Sequence, residues 1–216
     1  ARTIVNVGAG TGNYEPADRH VVAVEPSPAM VNQRSGRSHF VVRGTAENLP
    51  FPDQSFDAAL AVLTIHHWTD VETGLREMAR VADRQVVMSF EPLATHNFWA
   101  LDYFPEAHDL PSEHDPPGER LLRELLPVRE VQTVLVPHDC TDGFGAASWR
   151  RPDAYLDPEV QAGMSWLALL SEDARRAGTR RLAQDLASGH WDIRYGHLRS
   201  LDYYDGGYRL SISSSA

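Results

Sequence analysis

The chain has 216 residues, 42% hydrophobic and 23% charged, which suits a globular domain with its own core and excludes a disordered or fibrous chain. The formal net charge is −10 and every fixed positive charge is an arginine, so a broad nucleic-acid footprint, which needs a basic stripe, is excluded. No apolar run reaches the length of a membrane span, and a single cysteine, Cys140, rules out an internal disulfide and fits a reducing cytoplasm. The arginine pairs at Arg150-Arg151, Arg175-Arg176 and Arg180-Arg181 are too scattered to form a basic stripe.

In chain order, Thr3–Val7 reads as a first strand running into a glycine cluster. Because the chain begins at Ala1 and enters that strand almost at once, a preceding segment is expected. Val21–Glu25 is a second strand. The connection between the two, from Gly12 to Val21, holds Pro16 and is short for a parallel crossover, so about one helical turn is expected there. Ser27-Pro28 is a helix start, a capping side chain followed by proline at the first helical position. Phe40–Arg43 is a third strand. Asp57–Thr64 is a fourth, apolar nearly throughout, as a strand covered on both faces should be. Thr69 or Asp70 can cap a helix through Val81, with Val71, Leu75, Met78 and Val81 near helical spacing.

Arg84–Phe90 is a fifth strand, Glu119–Leu126 a short amphipathic helix stopped by Pro127, and Val131–Pro137 a sixth strand. Beyond Asp139 the pattern turns helical over Pro152–Tyr155, Glu159–Leu170 and Glu172–Leu186, before a last strand at Gly207–Ser213. Strands alternating with helices predict an α/β fold with a mostly parallel sheet. A helical insertion between the last two strands would make a lid over the strand ends. The expected domain boundaries are a core at 1–138, an insertion at 139–205 and a returning strand at 206–216.

Three segments carry the chemistry. Val7-Gly8-Ala9-Gly10-Thr11-Gly12 spaces its glycines as Gly-x-Gly-x-Gly, one residue tighter at the end than the dinucleotide fingerprint, which argues against a nucleotide-linked oxidoreductase. Glu25 closes the second strand at the distance where a carboxylate accepts from both hydroxyls of a ribose. Gly44-Thr45-Ala46-Glu47-Asn48-Leu49-Pro50-Phe51-Pro52-Asp53, followed by Ser55-Phe56-Asp57, leads from the third strand into the fourth. It borders the crevice where open α/β sheets bind ligands.

Together with Leu63–Trp68, these segments resemble the class I S-adenosylmethionine-dependent methyltransferases, type 11, the branch of the ubiquinone/menaquinone C-methyltransferases. The likeness covers roughly the first 90 residues. It implies a Rossmann-like sheet of seven strands, the last one antiparallel, and S-adenosylmethionine as cofactor. Gly8, Ala9, Gly10, Thr11 and Gly12 would form the turn under the methionine part. Glu25 would hold the ribose, Pro26 would lie near the adenine, and Thr45, Ala46 and Glu47 would border it. Leu63 and Thr64 would lie beside the sulfonium. Three departures stand out: Asn6 where the family carries Asp, which gives the ligand's ammonium no counter-charge; Thr45 in place of Asp; and the short connection after Gly12, which removes most of a helix whose N-terminus would face the ligand's carboxylate.

Methyl transfer chiefly needs positioning and exclusion of water, so no fixed catalytic residue is required. His66 of His66-His67-Trp68 and His138 of His138-Asp139-Cys140 are the candidate acid–base groups. The second cluster has no zinc spacing, and no metal is expected. Trp149-Arg150-Arg151 could clamp a flat or anionic acceptor, and Phe98-Trp99 and Tyr103-Phe104 could line an apolar pocket; in each case ordinary packing is the plain alternative. The expected partner is a small-molecule methyl acceptor on an oxygen or carbon atom, with neither nucleic acid nor membrane. The competing reading is a protein of the same fold that binds S-adenosylmethionine without methylating. Neither the identity of the acceptor nor the oligomeric state is written in the sequence.

Overall fold

The computed structural model describes residues 1–34 and 40–214, folded as two compact units. The first comprises Ala1–Phe90, Pro117–Gln132 and Arg209–Ala216, and the second Glu91–Pro116 and Thr133–Tyr208. The stretch from Glu91 to Pro116, which the sequence patterning leaves with the core, thus packs with the helical residues of the second unit.

The first unit is built on β1 (Thr3–Val7), β2 (His20–Val24), α1 (Pro28–Asn32), β3 (Phe40–Val42), β4 (Ala58–Val62), α2 (Val71–Val81), β5 (Arg84–Phe90), α3 (Glu119–Leu125), β6 (Val128–Thr133) and β7 (Tyr208–Ser214). The seven strands form one sheet in the order β3-β2-β1-β4-β5-β7-β6. β1 pairs in parallel with both β2 and β4, β2 with β3, and β4 with β5. The strand order reverses between β1 and β4, so the carboxyl end of β1 is the topological switch point, where open α/β sheets take ligands.

The sheet core is aliphatic and small: Val5, Val7, Val24, Ala59 and Ala61 are buried with Leu75, Met78 and Val81 of α2 and Leu122 of α3. β-branched and alanine side chains let strands pack closely on both faces. α2 starts where Asp70 accepts from the Thr73 N–H at 3.0 Å. It stops at Ala82, whose backbone is extended. One stripe of α2 (Gly74, Leu75, Met78 and Val81) is buried.

Two expectations are corrected here. Residues 13–19 contain turns and bends but no helix. Pro16 lacks an amide donor, and Glu15 N–H instead bonds back to Gly12 O at 3.3 Å. The sixth strand lies at Val128–Thr133, earlier than Val131–Pro137. It ends the strand order and is therefore an edge strand, with exposed Arg129, Glu130, Gln132 and Thr133, so hydropathy alone shifts it toward the apolar residues that follow. Val136–Pro137 belongs instead to a separate antiparallel pair with Tyr203–Tyr204.

The second unit holds α4 (Pro158–Gly163), α5 (Ser165–Ala168), α6 (Glu172–Ser188) and α7 (His190–Tyr195), with several 3-10 turns. The helix expected over Glu159–Leu170 breaks at Met164, which leaves helical geometry at φ −95° and ψ 109°. The interior is aromatic: Phe98, Trp99, Phe104, Trp149, Tyr155 and Trp191 are essentially inaccessible. Two of the indole edges are satisfied by backbone, with Trp99 Nε1 donating to Trp149 O at 2.8 Å and Trp149 Nε1 to Val136 O at 3.1 Å, whereas the buried Nε1 of Trp191 has no hydrogen-bond partner among the described residues.

Candidate functional site

At the end of β1 the chain turns through Gly8, Gly10 and Gly12, at φ 69°, 54° and 85° respectively. These are left-handed conformations that glycine adopts without a Cβ clash. The amides of Gly8 and Ala9 both donate to Val24 O, at 2.9 and 3.0 Å, which fastens the turn to the end of β2. The neighbouring side chains differ at each glycine. A Cβ on Gly8 would lie 2.1 Å from Thr64 Oγ1, and one on Gly12 would lie 2.8 Å from the Arg34 guanidinium. A Cβ on Gly10 would meet nothing within 4 Å, so the middle of the turn faces open space.

Glu25 sits one residue beyond β2 and is 6% exposed. Its carboxylate accepts from Gly10 N–H and Ser27 N–H, each at 2.8 Å. These bonds orient both oxygens and use two of the roughly four lone-pair sites of a carboxylate, which leaves acceptor capacity for a diol. An open turn centre beside an oriented, buried carboxylate fits the nucleoside and amino-acid parts of S-adenosylmethionine. Pro26 is exposed next to it.

The loop after β3 is fixed from below. Arg80 donates to Leu49 O at 3.0 Å and Phe51 O at 2.8 Å, and pairs with Asp53 and Glu77. Thr45 is exposed, Ala46 is buried at 5%, and Glu47 accepts from Thr69 N–H at 2.8 Å and Asp70 N–H at 3.2 Å. Burial pushes the Glu47 carboxyl upward, but these backbone donors outweigh it and hold the group below its ordinary value. The Glu47 side chain therefore ties the loop to the start of α2.

Leu63 closes β4 in a left-handed conformation at φ 50°, held by its N–H on Met88 O at 2.9 Å. A non-glycine residue there stores strain, and such residues cluster at ligand sites. Thr64 follows, 8% exposed and packed on Gly8, so the ends of β1 and β4 meet through the pair. His66 is half-buried, with its ring 3.8 Å from that of His67 and edge-on to Phe90 at 5.0 Å. Burial, with a smaller contribution from His67, lowers its pKa to about 4. Burial also lowers His67, against the opposing pull of the Glu25 charge.

All the predicted cofactor residues belong to the first unit, at the ends of β1, β2 and β4 and in the loop after β3. His138 belongs to the second, where its N–H bonds to Asp202 O at 2.9 Å. There the candidate acceptor residues are largely structural. Trp149, Phe98 and Trp99 are core, Arg150 donates to Leu201 O at 3.0 Å, and Arg151 donates to Cys140 O. Among the described residues no group of three or more His, Cys, Asp or Glu side chains could hold a metal ion. Sequence reasoning passed over Arg34 and Glu15. Arg34 donates to Gly10 O at 3.0 Å and pairs with Glu15 at 2.6 Å, and Asn6 Nδ2 donates to the same Glu15 oxygen at 3.3 Å. Only their meeting on the turn marks these residues, and neither has a motif.

A methyltransferase-domain family model matches residues 5–90. The crystal structure of a protein described as a methyltransferase from an antibiotic biosynthesis pathway of Anabaena variabilis ATCC 29413 is 35% identical, with a TM-score of 0.89 over 100% of this chain and 91% of that one. The methyltransferase YcgJ of Bacillus subtilis is 35% identical over 89 residues, 36% of this chain and 35% of that protein. A demethylmenaquinone methyltransferase of Deinococcus radiodurans is 32% identical over 125 residues, 51% of this chain and 52% of that protein. The chain thus spans about a third to a half of the length of these two curated relatives.

Proposed function

The chain belongs to the class I S-adenosylmethionine-dependent methyltransferases, type 11, and from that membership we propose that it methylates an oxygen or carbon atom of a small-molecule acceptor. The observation that carries the reading is the glycine turn at the switch point, closed on a buried Glu25 whose oxygens are aimed by Gly10 and Ser27. When bound, S-adenosylmethionine supplies a methyl group made electrophilic by its sulfonium. The protein's part is to hold and orient. Gly8–Gly12 lets the backbone come close, with Ala9 and Thr11 shaping the turn between the glycines, and Glu25 accepts from the ribose hydroxyls. Pro26, Thr45, Ala46 and the backbone at Glu47 border the adenine, and Leu63 and Thr64 stand beside the methyl-bearing end.

His66, with a pKa near 4, is uncharged at neutral pH but too weak a base to match that pH. Its contribution is an uncharged ring edge, and His138 is the second candidate for acid–base work. An acidic chain without lysine favours an uncharged or cationic metabolite over nucleic acid. The demethylmenaquinone enzyme of Deinococcus and the antibiotic-pathway protein of Anabaena suggest a quinone-like or natural-product acceptor.

Calorimetric titration with S-adenosylmethionine, S-adenosylhomocysteine and NADH tests the cofactor. The first two should bind and the third should not; binding of NADH alone would overturn the reading. Glu25→Ala should weaken binding of the first two by roughly 1–3 kcal/mol, the cost of losing a charged hydrogen-bond partner. Unchanged affinity would remove Glu25 from the ribose. Transfer of a labelled methyl group in a screen of phenols, quinols and carboxylic acids then identifies the acceptor.

A further inference from the structure

The second unit holds a small cavity with polar groups of its own. It is lined by Pro158, Gln161 and Ala162 of α4, Ala168 of α5 and Arg175 of α6, and its volume is about 200 Å³. Small-molecule sites usually run from roughly 300 to 1,000 Å³, so an occupant here has only a few heavy atoms. Pro158, Ala162 and Ala168 make an apolar wall of short side chains. Gln161 is 6% exposed, and its amide nitrogen spends both protons, on Tyr155 O at 2.7 Å and Thr179 Oγ1 at 2.9 Å. The amide is thereby fixed, and what remains to it is a carbonyl oxygen that has no donor among the described residues. A buried acceptor in that position is costly unless a ligand or a water supplies the donor.

Thr179, which accepts from Gln161, itself donates to Arg175 O at 2.8 Å, one turn earlier on α6. Residues four apart share a helix face, so Arg175 and the Gln161 amide meet the same side of α6. Glu172 pairs with Arg176 and not with Arg175, and the half-buried Arg175 guanidinium has no hydrogen bond or ion pair among the described residues. One cavity thus combines a cationic fork, a fixed carbonyl acceptor and a short apolar wall. We propose that it binds a small carboxylate with a hydrogen-bond donor on the adjacent carbon, a 2-hydroxy or 2-amino acid with a short side chain. The Arg175 fork matches the carboxylate, Gln161 Oε1 accepts from the hydroxyl or amine, and the Pro158, Ala162 and Ala168 wall covers the side chain. All these residues belong to the second unit, so occupancy of the cavity does not depend on the methyl-donor reading.

Ligand-observed NMR titration of the full chain tests this with four probes: L-lactate, L-alanine, propionate and lactamide. Lactate and alanine differ in the donor, propionate lacks it, and lactamide lacks the charge. Lactate or alanine should bind with a millimolar Kd, as suits so few heavy atoms, and the tighter of the two identifies the donor. Propionate and lactamide should bind roughly tenfold more weakly than that acid. Arg175→Gln should weaken the preferred acid by roughly tenfold or more, and Arg175→Lys by less. Ala168→Leu, which fills the cavity from an exposed position, should abolish binding. No saturable binding of either acid at tens of millimolar would overturn the proposal. So would propionate binding as tightly as the preferred acid, or affinity unchanged in Arg175→Gln or in Ala168→Leu. Should Arg175→Gln not fold, as far-UV circular dichroism would report, Ala168→Leu and the propionate comparison carry the test.

Discussion

The two units solve the problem of an interior in opposite ways. The first packs valines, alanines and leucines between a parallel sheet and its helices, and Glu25, Thr64 and the glycine turn lie at its strand ends. The second fills its centre with aromatic rings held by short 3-10 turns, and each buried Trp99 or Trp149 edge finds a backbone carbonyl. Repetitive backbone hydrogen bonding organises the first unit, whereas large side chains organise the second. A regular sheet leaves its ends free for chemistry, while an aromatic core commits its most reactive-looking residues to structure.

The largest effect that would test this contrast lies in the second unit. Trp149→Ala should cost about 3–5 kcal/mol of stability in denaturant titration, through the cavity and the orphaned Val136 carbonyl. A loss below about 1 kcal/mol would show that the ring is not part of the core. In the first unit the corresponding weak point is the backbone. Gly8→Ala should cost about 1–2 kcal/mol for its left-handed φ, plus the clash with Thr64 Oγ1. Adding Thr64→Ala should restore the clash portion and leave the φ portion. A double variant no better than Gly8→Ala would show that Thr64 does not fill that space.

The smallest effect is a pH dependence. The folded-state pKa of His66, about 4, lies below its ordinary value of 6.5. The unfolded chain therefore takes up a proton first as pH falls. The stability linked to this histidine is full above pH 6.5 and is lost progressively toward pH 4. Melting temperatures at pH 7 and 4.5 should converge less for wild type than for His66→Leu when each is referred to its own value at pH 7; identical slopes would show that the ring is solvated. The same shift predicts that methyl transfer shows no inflection from His66 between pH 6 and 8.

The sheet is legible in the sequence because a parallel strand covered on both faces must be apolar nearly throughout. β1 and β5 begin and end where hydropathy puts them. α2 likewise starts at its capping aspartate. The edge strand β6 is not legible in the same way, because an edge strand exposes polar side chains and loses that signature. The break at Met164 and the turns holding Phe98 and Trp99 have no period to read.

The sequence by itself determined the α/β class, the glycine turn and the carboxylate at the end of β2, because backbone conformation and strand length dictate those residue types locally. Tertiary structure decided what those groups do. It gave Glu47 to the start of α2, placed Thr64 against Gly8, and brought Arg34 and Glu15 together on the turn across 18 intervening residues. Such pairings depend on which chain segments the fold brings within about 3 Å of each other, a distance that local spacing does not encode.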